Sequence, residues 1–248
     1  MAEPLGWREC WKWGICSGPA WDLEELELMR KRRLFHFCNS EFGLLNLKKR
    51  RIKVSTFDAL NDPFELLCHN SGDKEVRRKL QSFKDYAAQK TGILCFSKEM
   101  SSPVQWAHYA DRHTGICLGF DVPEEMVEDV VYTSERMKFE YEAESWLAGQ
   151  GSPAWQTFLT KYDHWSYEKE SRVFGNLGAK DIDTGLYFKG FDNDIELKEI
   201  AVGYQSKIAR RELNDCLGDL VGFVETYKVR PAFTSYKMVR NKDESNWT

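Results

Sequence analysis

The chain has 248 residues, with 35 Lys and Arg against 39 Asp and Glu, a formal charge of −4. That length holds one large domain or two small ones around a sizeable core. The 15 Phe, 10 Tyr and 9 Trp exclude a coiled coil, a collagen-like rod and a disordered acidic tail, and the mild acidity argues against a protein devoted to gripping phosphate backbones.

Residues 1–20 are rich in Trp and Gly, show no period and read as an irregular leader. A helix is predicted from Asp22, an N-cap with Glu25 as its capping-box partner. Its acids (Glu24, Glu25, Glu27) precede its bases (Arg30, Lys31, Arg32, Arg33), as the helix dipole favours. The basic run is therefore read as a helix end rather than a nucleic-acid contact. Leu34–Cys38 alternates as a short strand, with Phe35 and Phe37 on one face and Leu34, His36 and Cys38 on the other. A helix over 42–49 and a strand over 52–55 lead into the turn Asn61–Glu65. Val76, Leu80, Phe83 and Ala87 form a helical stripe within 73–90. A strand over 92–97 precedes a short helix with Ser102 as N-cap and Pro103 at its first position, and a strand over 116–121 follows. The stretch 135–165 is aromatic and reads as mostly helical, broken at Gly149, Gly151 and Pro153. Strands are predicted over 170–177, 185–188 and 195–202, then a helix over 207–217 and two strands over 221–229 and 233–239. Strands and helices mix without regular βα alternation, so the fold class is α+β. A single domain is expected over residues 21–240, with a frayed tail at 241–248.

The 7 cysteines are scattered, and none forms a C-x-x-C pair. This fits a reducing compartment and gives no support to a structural zinc site. No basic n-region with an apolar stretch opens the sequence, and no run reaches the ~18 apolar residues of a membrane span. A cytoplasmic protein without membrane contact is expected.

Three strings could carry chemistry. In W-S-Y-E-K-E-S-R, strand geometry would put Glu168, Glu170 and Arg172 on one face. Two carboxylates there repel, Arg172 keeps one ionised, and the trio suits stabilising a developing cation. A solvated ion pair on an edge strand explains the same string equally well. Because the two charges repel, neutralising Glu170 should hardly change folding. In N-D-P-F-E, Asn61, Asp62 and Pro63 are turn formers, while Phe64 and Glu65 could present an aromatic ring and a carboxylate to a ligand. In Q-W-A-H-Y-A-D-R-H-T-G, Trp106, Tyr109 and Ala110 share one helix face and His108 and Asp111 another. A His–Asp pair can be a general base with its orienter, but is more often structural. G-x-S-x-G, G-x-x-x-x-G-K-[ST] and G-x-G-x-x-G are absent. Glu196–Lys198, after Asp192 and Asp194, hints only weakly at a metal-dependent nuclease.

L-F-H-F-C, N-D-P-F-E, L-C-F-S, W-A-H-Y-A-D-x-H-x-G-I-C-L-G-F-D and W-x-Y-E-x-E-x-R occur in that order across Leu34–Val202. This resembles a bacterial family of unknown function, the domain-of-unknown-function family 2971. The order of elements also looks like the ADP-ribosyltransferase fold, a split β-sandwich flanked by helices, with a nicotinamide dinucleotide in its cleft. In that superfamily a first strand supplies a His or Arg, which His36 is similar to, and a later E-x-E opens a strand, as at Glu168–Glu170. Tyr109 is similar to the ring that stacks on nicotinamide, although its helical setting departs from the usual strand. Ser97 is only a loose stand-in for the superfamily's Ser-Thr-Ser.

The resemblance implies cleavage of the nicotinamide–ribose bond of NAD, used as substrate, and transfer of ADP-ribose to water, protein or nucleic acid, with no metal. Glu170 is then the catalytic carboxylate opposing the oxocarbenium-like charge, and Glu168 orients the acceptor. His36 and Tyr109 hold the dinucleotide, with Ser97, Trp106 and His108 beside it. Asn61, Asp62 and Glu65 shape the cleft wall, and Arg172 meets phosphate or keeps Glu170 ionised. A role in defence against phage is an expectation of the same kind. The alternatives are a Mg²⁺-dependent phosphodiesterase or nuclease with Asp62, Glu65 and Glu168 as oxygen ligands, and a non-enzymatic nucleotide- or nucleic-acid-binding module stacking bases on exposed rings.

Overall fold

The computed structural model describes residues 30–139 and 152–247. The leader at 1–20 and the helix start at Asp22 lie outside the described residues. The basic run does not end a helix: Lys31, Arg32 and Arg33 open strand β1, Lys31–Cys38. All eight β1 residues pair antiparallel with β4, Ile116–Pro123. Cross-strand charge overrides the dipole logic, because Arg33 sits opposite Asp121 and binds it at 2.7 Å. Lys31 pairs with Glu196 at 3.1 Å and Arg32 with Asp129 at 3.0 Å. The run is thus spent on internal ion pairs, each worth little at this exposure.

Helix α1, Ser40–Lys49, starts where the Asn39 side chain accepts from the Phe42 N–H, and stops where Arg50 turns left-handed. It is followed by β2, Arg51–Val54. Helix α2, Lys74–Lys90, is capped by Asp73 and runs into β3, Thr91–Ser97. Helix α3, Pro103–Tyr109, has the predicted Ser102 cap with Pro at its start. Strands β5 (Glu128–Asp129) and β6 (Val131–Thr133) are too short to show a period. The described part of 135–165 is less helical than its composition suggests. Helix α4, Pro153–Leu159, gives way to β7, Thr160–Tyr162, and a 3-10 turn over Asp163–Glu168. Then come β8 (Glu170–Asn176), β9 (Tyr187–Gly190), β10 (Glu196–Val202), α5 (Arg210–Leu217), β11 (Glu225–Pro231) and β12 (Met238–Arg240). The last two strands are shorter than predicted. Gly222, at φ +90, turns the chain before β11, while Phe233 and Tyr236 stay exposed ahead of β12.

Eight strands form one curled sheet in the order β12-β11-β10-β4-β1-β3-β8-β5. With the helices this is a mixed α+β fold. One face buries Leu34, Cys38, Ile116, Leu118 and Ile200 against Leu47 of α1 and Leu213 of α5. The other carries Phe35, Phe37, Cys117 and Tyr227 around Trp106 of α3. The alternation predicted for β1 is what divides its side chains between these cores. Trp247 joins the first core, with the Arg210 guanidinium 4.0 Å from its ring centroid. No helix among the described residues is long and apolar enough to cross a membrane.

The sheet has a thin seam. Strand β3 pairs with β8 over seven residues, but with β1 only at Phe35–Ser97. Beyond that pair a side chain makes the crossing: His36 Nδ1 lies 3.2 Å from the Cys95 carbonyl.

Just past α3, Asp111, Arg112 and His113 all take positive φ, at 43°, 53° and 69°. Each L-residue held there costs roughly 1–2 kcal/mol. The turn is pinned because Gly203 and Gln205 donate backbone bonds to the carbonyls of Gly115 and His113. Only glycine fits at 203, since a Cβ there would sit 2.1 Å from the His113 carbonyl oxygen. Arg112 is exposed, so Arg112→Gly relieves strain without removing packing. It should raise unfolding free energy by about 0.5–1 kcal/mol, the strain relieved less the entropy of glycine; a denaturant titration measures it.

Candidate functional site

The seam opens into a cavity of about 230 Å³. His36 reaches it from β1, Cys95 and Ser97 from β3, Asn61 from the N-D-P-F-E turn and Tyr109 from the end of α3. Lys161 comes from β7, and Glu168, Glu170 and Arg172 enter across the start of β8. Seven residues predicted from sequence therefore share one cleft: His36, Asn61, Ser97, Tyr109, Glu168, Glu170 and Arg172.

The convergence of Glu168, Glu170 and Arg172 has a different cause from simple strand alternation. Glu168 ends the 3-10 turn, and Lys169 follows at φ +47 with its own side chain exposed. This left-handed step returns both glutamates to the same side. Ser171 faces away and bonds Asp129 at 2.6 Å.

Four predicted residues do not line the cavity. Asp62 is buried as a turn former, its Oδ1 accepting the Phe64 N–H at 2.9 Å. Glu65 lies behind the wall, where both its oxygens accept from Arg172 at 2.7 and 3.0 Å. Trp106 is fully buried, edge-on to Phe37, and its indole N–H donates to the Met100 carbonyl at 2.7 Å. Trp106→Phe strands that carbonyl and should cost about 1–3 kcal/mol of unfolding free energy, read from thermal melts. His108 is exposed, with Nδ1 3.0 Å from the Tyr167 hydroxyl. Its expected partner Asp111 is drawn off the helix face by its positive φ and accepts from Thr114.

Two residues missed from the sequence complete the cleft. Gln105 donates to the Ser97 hydroxyl and to the carbonyls of Tyr167 and Glu168 at 3.0, 2.9 and 3.1 Å, holding the 3-10 turn. Ser97 Oγ, 2.8 Å from the Glu168 carbonyl, shares that scaffold role. Lys161 Nζ lies 2.5 Å from Glu168 and 3.3 Å from Glu170.

Charge is concentrated here under almost complete burial. Arg172 is 0% exposed and binds Glu170 at 2.9 Å through Nε and at 3.1 Å through Nη2. Burial works to raise the Glu170 pKa, but Arg172 and Lys161 outweigh it and hold the carboxyl below its usual range. For Glu168 burial prevails over Lys161 and Tyr109, and its pKa is raised. The Tyr109 hydroxyl donates to Glu168 and accepts from Asn61 at 2.9 Å; burial and that carboxylate push its pKa up. Burial lowers the His36 pKa. A carbonyl can only accept, so the neutral ring carries its proton on Nδ1 and leaves Nε2 as an acceptor. Glu168 and Glu170 thus meet at the cleft floor, with Lys161 bonded to both and Arg172 bonded to Glu170.

No curated protein and no solved structure matches this chain. A family model described as a protein of unknown function (DUF2971) matches residues 105–173, from Gln105 through the E-x-E and Arg172. That span is narrower than the Leu34–Val202 over which the motifs were read, yet it contains Tyr109, Lys161 and both cleft glutamates. Over residues 105–173 this chain is similar to the DUF2971 family of unknown function.

Proposed function

We propose that the cleft binds a nicotinamide dinucleotide and cleaves its nicotinamide–ribose bond, passing ADP-ribose to water or to a macromolecular acceptor. The observation that carries this reading is the pair of buried carboxylates, Glu168 and Glu170, brought together in a cleft at the seam between β1 and β3. As the bond breaks, its electron pair leaves with the nicotinamide nitrogen and positive charge grows on the ribose. A fixed carboxylate stabilises that charge without reorganising. Glu170 takes this role and Glu168 orients the acceptor, while His36 and Tyr109 hold the dinucleotide. Arg172 is sealed from solvent, so its part is to keep Glu170 ionised rather than to meet phosphate. The seam between β1 and β3, with His36 on the first described strand and the E-x-E opening β8, supports likeness to the ADP-ribosyltransferase split β-sandwich.

The magnesium-dependent alternative asks Asp62, Glu65 and Glu168 for ligands. Both Glu65 oxygens are bonded to Arg172, and those of Glu168 to Tyr109 and Lys161, so this set favours cations already in the protein. The test is nicotinamide release from NAD by purified protein in the presence of a chelator. Turnover in chelator is expected. No release with water, protein or nucleic acid as acceptor, or release only with Mg²⁺, would sink the reading, and binding without turnover would favour the non-enzymatic module.

A further inference from the structure

We infer that Lys161 is the positioning residue that favours the charged forms of Glu168 and Glu170 and turns both into one cleft. The inference rests on the reading of those two carboxylates as the acting pair. Arg172, the nearer cation in sequence, is already fully committed. A guanidinium has five N–H donors, and those of Arg172 go to Glu170 twice, to Glu65 twice and to the Phe158 carbonyl. None remains for Glu168. The carboxylate of Glu168 receives from Tyr109 on one oxygen and from Lys161 on the other. Among the described residues, Lys161 is therefore the single cation bonded to Glu168, and it also reaches Glu170 at 3.3 Å.

The fold supplies Lys161 by a route unrelated to the E-x-E. It is the central residue of β7, paired with Tyr132 of β6. Tyr132 in turn accepts the Glu170 N–H at 2.8 Å, so one small parallel pair of strands fixes both the ammonium and the backbone of Glu170. The Lys161 ammonium lies 4.8 Å from the Trp165 ring centroid, which packs the third side of the ammonium against a π face. Other titratable groups face the trio. From behind come Glu65 and Arg172, and from β3 comes Cys95, whose buried thiol is held neutral by burial first and by Glu170 next. Tyr109 and Tyr167 close the side toward α3, and neutral His36 faces the cleft from β1. None of these is a second cation for Glu168.

Without Lys161, Glu170 keeps Arg172 while Glu168 has no bonded cation, so the neutral form of Glu168 is favoured beside a charged neighbour. Lys161→Met should therefore convert the pair to a half-protonated one, while Lys161→Arg should preserve it. The measurement is carbon-13 NMR of protein labelled at the glutamate carboxyls, with Glu168 and Glu170 assigned through Glu168→Gln and Glu170→Gln. In Lys161→Met one of the two midpoints should rise by about one unit or more, and in Lys161→Arg both should stay within about half a unit of wild type. Unchanged midpoints in a folded Lys161→Met protein would overturn the inference. Should that variant fail to fold, the wild type decides. Its Lys161 ammonium should keep its protons above the pH at which exposed lysines lose theirs, and titration alongside them would equally overturn it. If wild type releases nicotinamide, the acid limb of kcat/KM should move up in step with the carboxylate midpoint in Lys161→Met. Absence of release from wild type removes the catalytic reading, while the carboxylate midpoints still decide the role of Lys161.

Discussion

Arg172→Met will destabilise the fold by about 3–5 kcal/mol, the usual cost of removing one partner from a buried ion pair. Methionine fills much of the volume, so the loss is electrostatic rather than a cavity. Glu65 and Glu170 are left 1% and 4% exposed and without the guanidinium that binds both. The pH dependence identifies the cause. In wild type the Glu170 pKa is depressed, so its contribution is present above the unfolded carboxylate value and is lost as pH falls through the lower folded value. In the variant that contribution is gone. The gap between the two unfolding free energies should be widest near neutral pH and close below about pH 4, where carboxylates protonate in the unfolded chain. A gap independent of pH would assign the loss to packing instead.

Glu170→Gln should lower nicotinamide release by about 10²–10³, or ~2.7–4 kcal/mol of barrier, as expected when one preorganised electrostatic contact is removed. Repulsion between the two carboxylates, taken from the sequence, implies that folding would hardly change, and the structure corrects that expectation. Both Glu170 oxygens accept from Arg172, and Lys161 adds a third bond. A glutamine presents one oxygen and one NH₂ group, so an N–H is forced against a guanidinium or an ammonium. The variant should melt below wild type, and the comparison of rates belongs at a temperature where both are folded. A folded Glu170→Gln protein that turns over at the wild-type rate would remove Glu170 from the mechanism.

Most of the scaffold was legible because its signals are local. Ser102 and Pro103 announce a helix start, and the alternation in Leu34–Cys38 announces a strand. The basic run at Lys31–Arg33 misled because its acids are far along the chain: Glu196, Asp129 and Asp121 come to it only through strand pairing. Much of the cleft was legible for a chemical reason, since E-x-E followed by Arg concentrates charge that a fold must either solvate or pair. Lys161 was not. It stands alone in T-K-Y with no period or motif, and its role exists only once β7 is laid beside Tyr132. Glu65 was read as a ligand-facing carboxylate because a turn sequence carries no sign of which side a charge will be buried on.

The single pair between β1 and β3 gives the protein a readout of its own occupancy. Five strands lie on one side of the seam and three on the other, joined along the backbone by one pair and otherwise by side chains, among them His36 and the Arg32–Asp129 ion pair. Any molecule spanning His36 to Glu170 acts as a staple between those halves. By linkage it adds its binding free energy to the folded state, ~2.7 kcal/mol at a hundredfold excess over its Kd. A library of nucleotides and their fragments can therefore be sorted by melting temperature alone, before any turnover is assayed.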